Sequence, residues 1–200
     1  MQVSIKLKGV EEALKTFDSK PVITAARRSL KETVASARTA ASRAIRERYH
    51  ISKVNIDRYL VKYLKATELI AILEARASTR TATLPLIYFR VKKPGLSLRK
   101  EKGKIKEIQK TRRAKGLVQV QVVKGKPWAP LKHAFIAKMP SGYIGIFERV
   151  GKERLPIREL KTIDVPLMFT QRNVMNTTIK RALEKWAKDF PARLDYLLKR

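Results

Sequence analysis

The sequence of residues 134–147 is AFIAKMPSGYIGIF, and its pattern is that of a β-hairpin. Two apolar runs, at 134–137 and 143–147, flank the triplet Pro-Ser-Gly at 140–142. Proline suits the second position of a type I turn, and glycine tolerates the left-handed backbone that follows. The segment therefore predicts two antiparallel strands joined by a short turn.

Other stretches have the composition of strands. Residues 69–73 and 86–91 are continuous apolar runs, while residues 116–124 alternate apolar and polar side chains. Residues 2–8 alternate in the same way and predict a further half-buried strand. Together with 134–147, these runs predict an antiparallel sheet made of a meander of hairpins.

A long amphipathic helix is predicted near the start of the chain. Asp18 or Ser19 is a suitable N-cap, and Pro21 is acceptable in the first turn. The helix should end near Tyr49. Its inner face consists of Ile23, Ala26, Leu30, Val34, Ala37, Ala41 and Ile45, spaced three or four residues apart.

Two more helices are predicted after it. Ser52 is expected to cap a helix that continues to Tyr63. A final helix should begin near Thr170, and Pro191 should interrupt it before a short helical tail. With 200 residues, the chain is expected to form one α+β domain, in which the long N-terminal and C-terminal helices pack on the antiparallel sheet.

The charge is extreme. The chain has 46 Lys and Arg residues against 17 Asp and Glu, a formal net charge of +29. Such a molecule repels itself unless it lies against a polyanion, of which nucleic acid is the commonest; anionic lipid and acidic protein surfaces are alternatives. There is no cysteine, no apolar run long enough to span a membrane and no signal-peptide pattern, so a soluble, intracellular protein is expected.

The charge is most concentrated between residues 92 and 115, where basic residues outnumber Glu101 and Glu107 to give a local net charge of +9. We expect a basic hairpin or arm at about 92–116 that contacts DNA or a protein partner, the alternative being a solubilising loop. Its basic residues are Lys92, Lys93, Arg99, Lys100, Lys102, Lys104, Lys106, Lys110, Arg112, Arg113 and Lys115.

Cations of the long helix are the second expected contact. They lie on its outer faces, where the alternative is a merely solvated surface. The ones assigned to DNA or partner contact are Arg27, Arg28, Lys31 and Arg38.

The sequence does not favour an enzyme. Its two histidines, His50 and His133, are far apart and without ligand spacing, and no nucleotide, metal or nucleophile motif is present. No cofactor is therefore expected. The carboxylates of residues 148–164 alternate with Arg and Lys, so ion pairing is a better explanation for them than metal binding. These carboxylates are Glu148, Glu153, Glu159 and Asp164.

A series of motifs runs through residues 134–169. In order they are Ala-Phe-Ile at 134–136, Gly-x-x-Gly-x-Phe-x-Arg-x-Gly at 142–151, Arg-Leu-Pro-Ile-x-Glu-Leu at 154–160 and Val-Pro-Leu-Met-Phe at 165–169. This series resembles the prophage minor tail protein Z family, as does the Ala- and Arg-rich helix before it. After Leu160 the family often has Gly-Pro-Ser, whereas this chain has Lys-Thr-Ile-Asp.

The resemblance implies a structural, non-enzymatic role in tail completion. It implies a ring, expected to be a hexamer, at the head-proximal end of the tail in the neck of the virion, after assembly in the host cytoplasm. The expected partners are the tail tube or tail terminator protein, the head-tail connector protein and duplex DNA contacted without sequence preference; no membrane is expected.

One extended segment is expected to dock on a neighbouring subunit or on the tail. Pro156 favours an extended backbone, which loses less entropy on docking. The alternative is that Leu155 and Ile157 cover their own core. The segment consists of Arg154, Leu155, Pro156, Ile157, Arg158, Glu159 and Leu160.

Two other functions remain open at this stage. A ribosomal or other nucleic-acid-binding protein would explain the charge, although no aromatic RNA-binding motif is visible. A collar subunit of a headless phage-tail-like particle would explain the motifs without DNA.

Overall fold

The computed structural model describes residues 19–65, 69–77, 83–101, 104–110 and 116–199. They form two compact units. The helical unit contains Tyr59–Arg76 together with the chain up to Ile45 and from Val165 onward. The β unit contains Arg46–Arg58 and Ala77–Asp164.

Helices and antiparallel strands both contribute, which confirms the predicted α+β class. The helices are α1 Ser19–Arg48, α2 Lys53–Asp57, α3 Val165–Phe169 and α4 Arg172–Leu198, with a 3-10 turn at Leu86–Tyr88. The strands are β1 Leu60–Lys65, β2 Ile70–Ala75, β3 Thr83–Pro85, β4 Arg90–Lys92, β5 Leu96–Glu101, β6 Lys104–Lys110, β7 Val118–Gln121, β8 Ala129–Leu131, β9 Ala134–Lys138, β10 Ile144–Arg149, β11 Ile157–Glu159 and β12 Lys161–Ile163.

Helix α1 confirms the predicted long amphipathic helix. It begins at Ser19 and ends at Arg48, within a residue of the expected Tyr49. Its apolar face lies in the core, because the spacing of three and four keeps these side chains on one side. The buried members are Val22, Ala25, Ala26, Leu30, Val34, Ala37, Ala41 and Ile45.

The second predicted helix is much shorter than expected. Ser52 does cap it, accepting a hydrogen bond from the Asn55 N–H at 3.4 Å, but α2 ends at Asp57. The prediction that it continues to Tyr63 is wrong, because the following residues form β1, paired antiparallel with β2. Pairing satisfies the backbone of β1 and buries Leu60, while the Nε of Arg38 donates to the Leu60 carbonyl oxygen at 2.8 Å.

Helix α4 continues through Pro191, so the predicted interruption is also wrong. Proline removes one backbone donor, but side-chain contacts hold the helix on both sides of it. Lys185 binds Asp189 at 2.8 Å before the proline, and Arg193 binds Glu32 of α1 at 2.5 Å after it.

The two long helices run antiparallel. Arg193 of α4 contacts Glu32 of α1, and Arg181 of α4 donates to the Ser36 hydroxyl at 3.1 Å. Residue numbers decrease along α4 as the numbers of the contacted α1 residues increase, so the two helices run in opposite directions. Val174, Thr178 and Ala182 are buried on α4.

The strands of the described residues are divided among five small antiparallel sheets rather than one. The predicted hairpin is confirmed as β9 and β10, with Ile136 paired to Ile146. Gly142 has φ +80° in the turn, as the Pro-Ser-Gly triplet requires. Strand β11 joins β10 on its other edge, and β7 lies within the predicted 116–124 strand.

The 86–91 run is a strand only at its end. Leu86 and Ile87 are both buried although they are adjacent, and a strand would point them to opposite faces. A 3-10 turn allows both side chains to be buried. In this turn the Phe89 N–H donates to the Leu86 carbonyl oxygen at 3.1 Å. Phe89 is then completely buried, and pairing resumes with β4.

The predicted strand at 2–8 lies outside the described residues. None of the helices in the described part of the chain combines the length and hydropathy that a membrane span requires.

Candidate functional site

The centre of the basic segment forms a two-stranded hairpin. Strands β5 and β6 pair with each other, from Leu96 opposite Lys110 to Glu101 opposite Lys104, with an irregularity after Arg99. The hairpin is a separate sheet, so it contributes no strand to the other sheets of the β unit. The remaining expected contacts Lys102, Arg112, Arg113 and Lys115 lie outside the described residues.

Two cations at the base of this hairpin lie over the ring of a tryptophan. The Lys92 ammonium lies 4.2 Å from the centre of the Trp128 ring, and the Arg90 guanidinium lies 5.3 Å from it. Lys93 makes a bridge to Leu96 at the start of the hairpin. The attraction of the ring face for cations holds Arg90 and Lys92 beside each other despite their like charge.

The cations predicted on the long helix belong to the helical unit. Arg27, Arg28 and Lys31 are exposed. Arg38 is half-buried and bonds the Leu60 carbonyl oxygen, so part of its function is to join α1 to β1. The two predicted groups of cations, those of α1 and those of the hairpin, therefore belong to different units.

An open cleft of about 420 Å³ lies in the β unit and is lined mainly by cations and aromatic rings. We call it the basic cleft. No carboxylate of the described residues lines it. Its polar lining is Arg46, His50, Ser52, Lys53, Arg90, Lys100 and Lys124, and Tyr49, Ile51, Tyr88 and Phe89 complete it.

Backbone hydrogen bonds bring these distant residues together. The His50 N–H donates to the Val122 carbonyl oxygen at 2.9 Å, and the Lys124 N–H donates to that of Arg48 at 2.8 Å. Tyr49 forms a β-bridge with Val123 between them. The chain leaving α1 is thus fixed to the end of β7, which places Lys124 near His50.

The Lys100 ammonium donates a 2.7 Å hydrogen bond to the Phe89 carbonyl oxygen. Burial of this ammonium lowers the pKa of Lys100, although much of the residue's surface stays exposed. The bond fixes one cation of the hairpin at the wall of the basic cleft.

His50 reports the positive field of the cleft. Burial lowers its pKa from the ordinary value, and the charges of Arg90 and Lys124 lower it further, against a hydrogen bond from the imidazole to the Gln121 side chain that raises it. A lowered pKa favours the neutral form of the imidazole. Of the residues that line the cleft, only Lys100 was predicted from the sequence as a contact. The others come together through backbone pairing, which spacing in the sequence does not show.

The predicted docking segment lies along the edge of β10. Ile157 pairs with Arg149, and the Leu160 N–H donates to the Ile146 carbonyl oxygen at 2.8 Å. Leu155 is 66% exposed, whereas Ile157 and Leu160 are half-buried. Arg154, Pro156 and Arg158 are exposed.

Two of the four carboxylates predicted to be ion-paired, Glu148 and Glu159, have basic partners. The Arg158 Nε donates to Glu148 at 2.9 Å, and Lys161 lies 4.0 Å from Glu159, which also accepts from the Tyr143 hydroxyl. Among the described residues, no three His, Cys, Asp or Glu side chains come together as a metal site would require.

Comparison with protein families gives one finding. The model of the prophage minor tail protein Z family matches residues 7–200, nearly the whole chain. Comparisons with curated proteins and with solved structures give no match. The match extends far beyond the 134–169 motifs and includes both units. The chain therefore belongs to the prophage minor tail protein Z family and is a structural protein of the phage tail.

Proposed function

We propose that this protein completes the tail as a ring, of six subunits, at the head-proximal end of the tail tube. In this position it joins the tube or its terminator protein to the head-tail connector protein. The observation that carries the proposal is the family match over residues 7–200. The basic surface of each subunit faces the DNA that passes through the neck.

The charge of the chain supports a place beside DNA. A ring of subunits with a formal charge of +29 each would repel itself strongly in free solution. Duplex DNA carries a dense negative charge and neutralises such a surface through phosphate contacts. These contacts carry no sequence information, as a conduit for a whole genome requires.

Exposed apolar side chains support assembly. A cyclic ring uses two different surfaces of each subunit, because each interface is heterologous. Leu155 and Val150 are exposed apolar side chains of the β unit, at 66% and 64% exposure. Ile179 and Leu183 are others, on α4 of the helical unit. Each unit therefore offers a surface that a neighbour could cover.

Deletion of the gene from an inducible prophage tests the proposal. We expect DNA-filled heads and separate tails after induction, and few infectious particles. Expression of the wild-type chain in trans should restore infectivity. A normal yield of infectious particles from the deletion would overturn the proposal, and so would recovery of the chain on ribosomes instead of particles.

A further inference from the structure

We propose that the basic cleft is a phosphate-binding site that holds the sugar-phosphate backbone of duplex DNA. The choice of DNA over other polyanions rests on the proposed function. The presence of an anion site rests on the lining of the cleft alone. It assigns DNA contact to Arg46, His50, Lys53, Arg90 and Lys124 in addition to Lys100.

The first support is the charge of the lining. Five Lys and Arg residues and one histidine line a single cleft, and no carboxylate of the described residues accompanies them. Elsewhere in the β unit, cations such as Arg158 and Lys161 are compensated by carboxylates. Like charges gathered in one concave surface repel each other unless an anion occupies it.

The second support is that the cations are held in place. The Lys100 ammonium is bonded to the Phe89 carbonyl oxygen, and the Arg90 guanidinium lies against Trp128. The backbone N–H of Lys124 donates to the Arg48 carbonyl oxygen, which fixes the main chain of this residue at the cleft. Fixed cations lose less conformational entropy when an anion binds, which increases affinity.

The third support distinguishes the backbone of a duplex from a single strand. Single strands are bound by stacking their bases on exposed aromatic rings. Of the rings in the lining, Tyr49 is 4% exposed, Phe89 is completely buried and Tyr88 is half-buried. A cleft with five Lys and Arg side chains and one half-buried ring suits phosphate groups better than a row of stacked bases.

Binding of a fluorescent duplex by the full chain tests the site. The variant carries Arg90→Gln and Lys124→Gln, both at exposed positions. Its control carries Lys138→Gln and Lys152→Gln, which lie in the same unit and remove equal charge outside the cleft lining. We expect the cleft variant to lose at least about tenfold in affinity at about 100 mM salt, and its salt slope to fall by about 2 as two phosphate contacts are lost.

The control should lose less than about threefold and keep its slope. Equal losses in the two variants would overturn the site, because total charge alone would then determine binding. Circular dichroism of both variants checks that the fold is kept.

The histidines give an independent readout, because the chain has only two. A phosphate in the cleft offsets the charges of Arg90 and Lys124, so the duplex should shift the His50 titration to higher pH in histidine-selective NMR spectra. The ring signals of His133, which is exposed and outside the lining, should stay in place.

The His50 shift should be absent in the cleft variant. A His50 response to poly-glutamate that exceeds the response to duplex would overturn the choice of DNA. An unchanged His50 signal at saturating duplex would overturn the site. These measurements use the purified chain, so their failure is separate from a failure of the gene-deletion test.

Discussion

Gly145 shows at the scale of one residue why the hairpin motif needs its second glycine. A Cβ at this position would lie 2.9 Å from the Phe147 ring and 3.0 Å from the Tyr143 ring. Both rings lie on the same side of the strand as residue 145, because side chains two apart share a face. Phe147 is buried, and Tyr143 is bonded to Glu159, so neither ring is free to move away.

We therefore expect Gly145→Ala to lower the free energy of unfolding by about 1–3 kcal/mol, the usual cost of overpacking. Urea denaturation measures the difference. The matched control is Gly151→Ala, where an added Cβ meets nothing within 4 Å. The explanation is wrong if the two variants are equally stable.

Asp189 gives a prediction about pH. A hydrogen bond from Lys185 lowers the pKa of this carboxyl, and the charges of Lys185 and Arg193 act in the same direction against burial. Because the folded pKa lies below the unfolded one, the stabilisation is present above the unfolded value of about 3.9 and disappears as pH falls through the folded value.

Asp189→Asn should accordingly cost about 0.5–1 kcal/mol at neutral pH, and the difference from wild type should shrink as the pH falls below about 4. Asp195→Asn, at an exposed position of the same helix, should cost less at every pH. Thermal unfolding across this pH range is the measurement. A difference that grows toward low pH would contradict a pKa of Asp189 that folding lowers.

At the scale of elements, the basic hairpin is the most independent part of the β unit. Strands β5 and β6 pair only with each other among the described residues. We expect replacement of residues 96–110 by a short Gly-Ser linker to leave a folded protein with one cooperative unfolding transition. Its affinity for duplex DNA should fall, since Lys100 leaves with the hairpin. A non-cooperative melt of this variant would show that the hairpin belongs to the core.

The docking segment gives a second prediction at this scale. Leu155 is 66% exposed, so Leu155→Ser should leave the unfolding midpoint unchanged. If the segment docks, the same variant should fail to join tails in complementation. Leu117→Ser is the control, since Leu117 is 44% exposed outside the segment. A stable Leu155→Ser chain that restores infectivity fully would remove the docking role.

The same elements show what sequence patterns could and could not predict. The α1 periodicity and the 134–147 hairpin were predictable, because local spacing and turn chemistry determine them. The strand at Leu60–Lys65 was not, because its conformation depends on pairing with β2 and not on its own residue spacing, which favoured a helix. Helix α4 continues through Pro191 because two ion pairs stabilise it on either side of the proline. These pairs are Lys185–Asp189 and Arg193–Glu32.

At the scale of the whole molecule, composition predicted a polyanion partner but not where that partner binds. A net charge of +29 fits many surfaces. Only the fold shows that Arg46, Lys53, Arg90 and Lys124 share one cleft. The family motifs were visible in 134–169, and the match over residues 7–200 extends them to nearly the whole chain. The match establishes that the chain is a structural protein of the phage tail, and its position in the neck is what we propose in addition.

Immunogold electron microscopy of purified infectious particles locates the chain and therefore tests its proposed position in the neck. An antibody against the chain should label the junction of head and tail, at one level along the particle axis. Separate tails from the gene deletion, which lack the chain, should carry no gold and serve as the control for specificity. Gold at the distal tip, or spread along the tail tube, would contradict a ring at the head-proximal end.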